Sequence, residues 1–179
     1  LLQATPSSHS LAPAAKSLLR NFDGNLRADS GAALLLNAWV DELARTMLPS
    51  RIGEDALHAL PKVPAAVECL EALLADSGRK HGARQLIDPL AARYGDDPAR
   101  WQWGDAHPAI SSHKPFGNVP LLERLFDVRV PTGGDAWTVN VGHYWLNDPR
   151  EPFANRHAAS LRVIYDLADL EQSRFIYQT

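Results

Sequence analysis

The spacing of apolar residues changes period near Trp101, and that change constrains the fold more than any other feature of the chain. From about Ser10 to Tyr94 the residues read as a series of helices. Leu35, Leu36, Trp39, Val40, Leu43, Ala44 and Met47 recur at the i, i+3, i+4 spacing of one helical face, behind an N-cap at Asp29-Ser30. Pro49 closes this helix. A shorter one is expected from Ile52 to Leu60, and another from Pro64, tolerated in a first turn, to Ser77-Gly78. A last helix, from about Ala83 to Arg93, must absorb Pro89 by a kink or a break before Gly95-Asp-Asp-Pro98 ends it. Beyond Trp101 the pattern turns to period two. Trp137 to Val141 alternates between glycines, and Leu161 to Tyr165 and Arg174 to Tyr177 have strand composition. The polar link from Asp166 to Ser173 is long enough for a turn or one helical turn, so its two strands are expected to be antiparallel neighbours. A helical region over 1–98 followed by a β-rich region over 99–179 makes an α+β chain, not an alternating βαβ one.

Composition narrows the function classes. With 45% hydrophobic and 22% charged residues the chain is close to the globular average, which argues against disorder and against a coiled coil. A net charge of −3 carries no basic excess to track a phosphate backbone, so nucleic acid is not an expected partner. Nor is a membrane, since no apolar run reaches the ~18 residues of a spanning helix. Cys69 is the single cysteine, which excludes an internal disulfide and a CxxC site; in its helical context, Ala65 to Leu74, it reads as a small buried residue. Thr5 to Pro13, rich in Ser and Pro, reads as a mobile lead-in. A start at Leu1 and an apolar finish at Phe175 to Thr179 read as the ends of a piece of a longer protein.

The residues that invite a chemical reading are few. His107, His113 and Asp105 are the right types for a metal, but their spacing fits no ligand pattern, and a buried, hydrogen-bonded ring is the better reading of His107. Trp101 and Trp103, two apart, would face one side of a strand, either binding an acyl group or covering a core; core packing is the stronger reading. Gly133-Gly134-Asp135 lacks the spacing of a nucleotide loop and reads as a turn whose two glycines supply positive φ. No cofactor is expected. There is no G-x-S-x-G, S-x-x-K or H-E-x-x-H, and Ser111-Ser112 beside His113 are mere sequence neighbours. Asp96-Asp97 and Asp166/Asp169 sit in polar turns, where capping explains them.

Taken in order, Trp101-Gln-Trp103-Gly104-Asp-Ala-His107, Gly133-Gly134-Asp135, Thr138-Val139-Asn140 and Leu161-Arg-Val-Ile-Tyr-Asp166 resemble the C-terminal part of the large chain of the penicillin acylase (penicillin amidase) family. With Phe22-Asp23-Gly24 and Ala28-Asp29-Ser30 the resemblance runs almost from end to end. It implies a four-layer αββα N-terminal nucleophile hydrolase sandwich, to which this piece contributes a helical excursion and then strands returning to one sheet. It also implies amide hydrolysis through an acyl-enzyme. The nucleophile would be a serine at the start of the large chain with its own α-amine as base, facing an oxyanion hole of backbone N–H groups and an asparagine. Those groups lie upstream of the matched segments, so no catalytic position transfers to this sequence. Trp101, Trp103, His107, Asp135 and Asn140 are expected as structural positions, Asp135 and Asn140 supporting the cleft from behind. The implied partners are the rest of the large chain, the small chain of the same precursor, and an N-acyl substrate such as a β-lactam side chain or an acyl-homoserine lactone. The implied location is periplasmic or secreted. The segment Asn147 to Arg156 departs from the family pattern and is expected to lie over a cleft. The alternative is a non-catalytic binding or structural module whose aromatic patch meets a partner.

Overall fold

The first part is organised around one long helix. Pro13 stands in the first turn of α1 (Ala12–Arg20), so the lead-in ends before Ala12. The Ser30 hydroxyl accepts the Ala33 N–H at 3.2 Å and starts α2 (Gly31–Met47), as its sequence signals predict. Pro49 ends that run but also opens α3 (Pro49–Ile52), because a proline nitrogen without hydrogen costs nothing in a first turn. Ile52 closes α3, and Gly53, where φ is 82°, separates it from the helix expected from Ile52, of which Asp55 and Ala56 are described and helical. The helix α4 (Ala83–Tyr94) carries Pro89 inside it and ends at Gly95, with φ 91°, as expected. The computed structural model describes residues 9–53, 55–56, 83–145, 150–159 and 161–177. Cys69, the helix expected from Pro64 and most of the one expected from Ile52 lie outside them.

The second part begins with a helical turn, α5 (Trp103–Ala106), and then a ladder of β1 (Pro108–Ser111) against β2 (Val128–Pro131), with Pro108 opposite Pro131 and Ser111 opposite Val128. The excursion between these strands holds the short α6 (Glu123–Phe126). Next come β3 (Gly142–His143) with β4 (His157–Ala158), and β5 (Leu161–Ile164) with β6 (Arg174–Tyr177), all antiparallel. The last pair are the neighbours the sequence predicts, joined through a single 3-10 turn at Leu170–Gln172. Asp166 and Asp169 cap that link, accepting the N–H groups of Ala168 and Glu171. The chain is thus α+β, with small antiparallel ladders.

Two strand expectations fail. Residues 136–140 form an irregular loop, because Asp135 Oδ1 accepts the N–H groups of both Trp137 and Thr138 and so turns the chain where a ladder would extend it. Trp101 and Trp103 do not lie on a strand either, since Trp103 opens α5. Both rings are nevertheless buried, as the packing reading requires. They belong to one cluster that draws on both parts of the chain, joining Leu34, Leu35 and Leu48 to Ile87, Leu90, Tyr144 and Phe153. Trp39, expected within the core, is only half-buried at its margin.

Candidate functional site

The matched motifs converge on Trp103. Its indole N–H donates to the Gly134 carbonyl at 2.8 Å, tying α5 to the Gly133-Gly134-Asp135 turn thirty-one residues away. One helical turn on, the His107 ring stacks on Trp103 at 4.4 Å between centroids. Tyr144 and Phe153 close the other sides, with centroids 6.1 and 5.8 Å from Trp103. The glycine of the motif is there for contact: a Cβ on Gly104 would come within 2.9 Å of the β-carbons of Ala28 and Pro131, and its N–H donates to Ala28 O at 2.6 Å. Trp101 is anchored separately, by an indole N–H bond of 2.7 Å to Gly95 O.

His107 is wholly buried, and its Nδ1 lies 2.6 Å from the Phe153 carbonyl. A carbonyl can only accept, so Nδ1 carries the proton and Nε2 is left as a bare acceptor, without a hydrogen-bond partner among the described residues. Burial disfavours the charged ring and lowers its pKa to about 4, against a smaller opposing effect from the Phe153 bond. The ring is therefore neutral at pH 7. Such a histidine holds the turn at Phe153 rather than moving a proton, which fits the buried, hydrogen-bonded role expected for it. His107 O meanwhile accepts the Thr132 hydroxyl at 2.6 Å.

The two glycines of the turn have different duties, which corrects the expectation of positive φ at both. Only Gly134, at φ 87°, needs the left-handed region. Gly133 is small because a Cβ there would press to 2.5 Å from Leu26 O. Asp135 is buried and caps the loop. Asn140 bridges outward: its Nδ2 donates to Gly133 O at 2.6 Å, and its Oδ1 accepts from the Arg162 guanidinium of β5. The structure thus joins Trp103, His107, Asp135 and Asn140 in one connected support, with Trp101 at its edge.

Several members of this support were not singled out in the sequence. Tyr144 donates its hydroxyl to Asn37 Oδ1 at 3.1 Å, which links the loop to the middle of α2. Burial, and then Asp41 and Asp135, push its pKa well above the ordinary phenol value. Asn37 and Asp41 are polar residues four apart inside the apolar stripe of α2, a pattern that marks buried polar partners. Phe153, Ala154 and Asn155 are buried too, and Asn155 N–H donates to Pro108 O at 3.0 Å. Of the described part of the segment ending at Arg156, Phe153 to Asn155 are therefore set into the core, while Arg150, Glu151 and Arg156 line an open cavity beside Ile110, Glu123 and Arg129.

His113 stacks on Phe116 at 5.2 Å on the surface, far in role from the buried His107. Among the described residues no three His, Cys, Asp or Glu gather as metal ligands. Residues 1–179 match the family described as Penicillin amidase. The chain belongs to the penicillin amidase family. Its members hydrolyse amide bonds. Comparison with curated proteins finds no match. No helix among the described residues of this penicillin amidase chain is long and apolar enough to cross a membrane.

Proposed function

We propose that the chain is the C-terminal part of the large chain of an amidase that removes an acyl group from an N-acyl compound, such as a β-lactam side chain or an acyl-homoserine lactone. The penicillin amidase match across 1–179 carries this reading. The hydrolysis proceeds through an acyl-enzyme on a serine at the start of the large chain, with backbone N–H groups and an asparagine upstream holding the oxyanion. Trp103, His107, Asp135 and Asn140 support that cleft from behind and touch no reacting atom. Trp101 packs beside them.

The exposed apolar residues of the second part favour a larger assembly. On β5 and β6, Leu161, Ile164 and Phe175 are all more than half exposed, and they do not fall on one face. A two-stranded ladder of four pairs is marginal in water, and apolar side chains on both faces suit a strand covered from above and below. That is the position of inner strands in a four-layer αββα sandwich, and the cover would come from the rest of the large chain and the small chain of the same precursor. The protein acts in the periplasm or outside the cell. The module reading loses its aromatic patch, since Trp101 and Trp103 are core.

Intact mass and N-terminal sequencing of the full-length gene product, followed by an assay of acyl release from N-acyl substrates, test the proposal. Two chains, the larger starting at serine, with activity lost on replacing that serine, are the expected result. A single uncut, inactive chain overturns it and leaves a non-catalytic module.

A further inference from the structure

The short ladder of β3 and β4 brings two histidines together at the base of the segment that inserts Phe153 into the core. His143 is directly opposite His157, so both side chains leave the same face of the ladder. Their ring centroids are 5.6 Å apart with planes at 70°. Two imidazoles bound to one ion through nitrogens at about 2.0–2.1 Å have centroids roughly 5–6 Å apart when the angle at the ion is tetrahedral or wider. The observed separation falls in that range. His157 is exposed and His143 half-buried, which leaves the pair open to solvent on one side.

We propose that His143 and His157 form a two-histidine site for a divalent transition ion, Zn²⁺, Ni²⁺ or Cu²⁺, that clips β3 to β4. Imidazole nitrogens suit these ions, whereas Mg²⁺ and Ca²⁺ take oxygen ligands. Among the described residues no carboxylate or thiol completes a group of three with the pair. The clip closes the chain between Tyr144 and Arg156, reinforcing the two residue pairs of the ladder. It is separate from His107, whose ring is committed to Phe153 O and Trp103. The site does not depend on the amidase reading.

Calorimetric titration of the tag-free full-length protein with Ni²⁺ tests it, alongside His157→Asn and His143→Asn. Binding at one site that weakens at least about tenfold in each variant is expected, because each removes one of the two histidine ligands. Ni²⁺ should also raise the thermal midpoint of the parent and not of the variants. His157→Asn replaces an exposed ring and carries the test if His143→Asn does not fold. Absence of Ni²⁺ binding in the parent, or affinity and midpoint shift unchanged in His157→Asn, overturns the proposal, as does an equal midpoint rise with Ca²⁺.

Discussion

The surroundings of Trp103 and the β5–β6 hairpin carry similar loads of apolar and aromatic side chains and treat them in opposite ways. Around Trp103 the indole, imidazole, phenol and phenyl rings are fully packed, and the polar atoms of Trp103 and Tyr144 and the His107 Nδ1 have partners within this chain. On the hairpin, Leu161, Ile164, Tyr165 and Phe175 stand in solvent. The first region draws its cover from α2, α4 and the Gly133–Asn140 loop, all supplied by the same 179 residues. The second has strand pairing, and among the described residues these apolar side chains remain largely exposed. Backbone hydrogen bonds can be satisfied locally between two strands, whereas burial of both faces needs two further layers.

The contrast is sharpest if the packed region is cut. Trp103→Ala should cost about 3–5 kcal/mol, enough to unfold a marginal domain, because it removes the ring that His107, Tyr144 and Phe153 all touch and orphans Gly134 O. Urea unfolding, or loss of soluble protein, reads the effect. Acid attacks the same place. The folded pKa of His107, about 4, lies below the ordinary value near 6.5. The unfolded chain therefore takes the proton first, so stability should be complete above pH ~6.5 and fall by roughly 3 kcal/mol on the way down to pH ~4. A pH series of unfolding midpoints, with that step missing in a folded His107→Gln variant, checks it.

Tyr144→Phe is a smaller cut. It keeps the ring and leaves Asn37 Oδ1 unpaired in the interior, for about 1–3 kcal/mol in urea unfolding. On the hairpin, Ile164→Ser should change the stability of this chain by no more than about 0.5 kcal/mol, since Ile164 is 69% exposed. The same substitution in the full-length protein is the informative measurement. A loss of several times that size would mean that the face is covered there; an equally small one would break the contrast drawn here.

Much of the helical part was legible because caps and breakers act locally. Ser30, Pro49 and Gly95 each impose a backbone requirement within three or four residues, so α2 and α4 came out where the spacing put them, whereas the break at Gly53 was not foreseen. The loop at 136–140 was misread for a comparable reason: alternation suggested a strand, but the Asp135 carboxylate captures two N–H groups before any ladder can use them. Of the support around Trp103, the motif residues were visible and their partners were not. Tyr144 with Asn37 joins residues 107 apart in sequence, and His107 with Phe153 joins residues 46 apart, separations at which no periodicity carries information.

The sequence by itself determined the α+β class, the change of period near Trp101, the antiparallel pairing of the last two strands, and the family. These follow from local backbone preference and from motif order, which are properties of neighbouring residues. Tertiary structure decided between core packing, which the sequence favoured, and acyl binding for Trp101 and Trp103, and it alone set Phe153 to Asn155 in the interior and made His107 a neutral anchor. Burial and pKa depend on which distant groups come to surround a side chain, and that is settled only when the helices and loops pack.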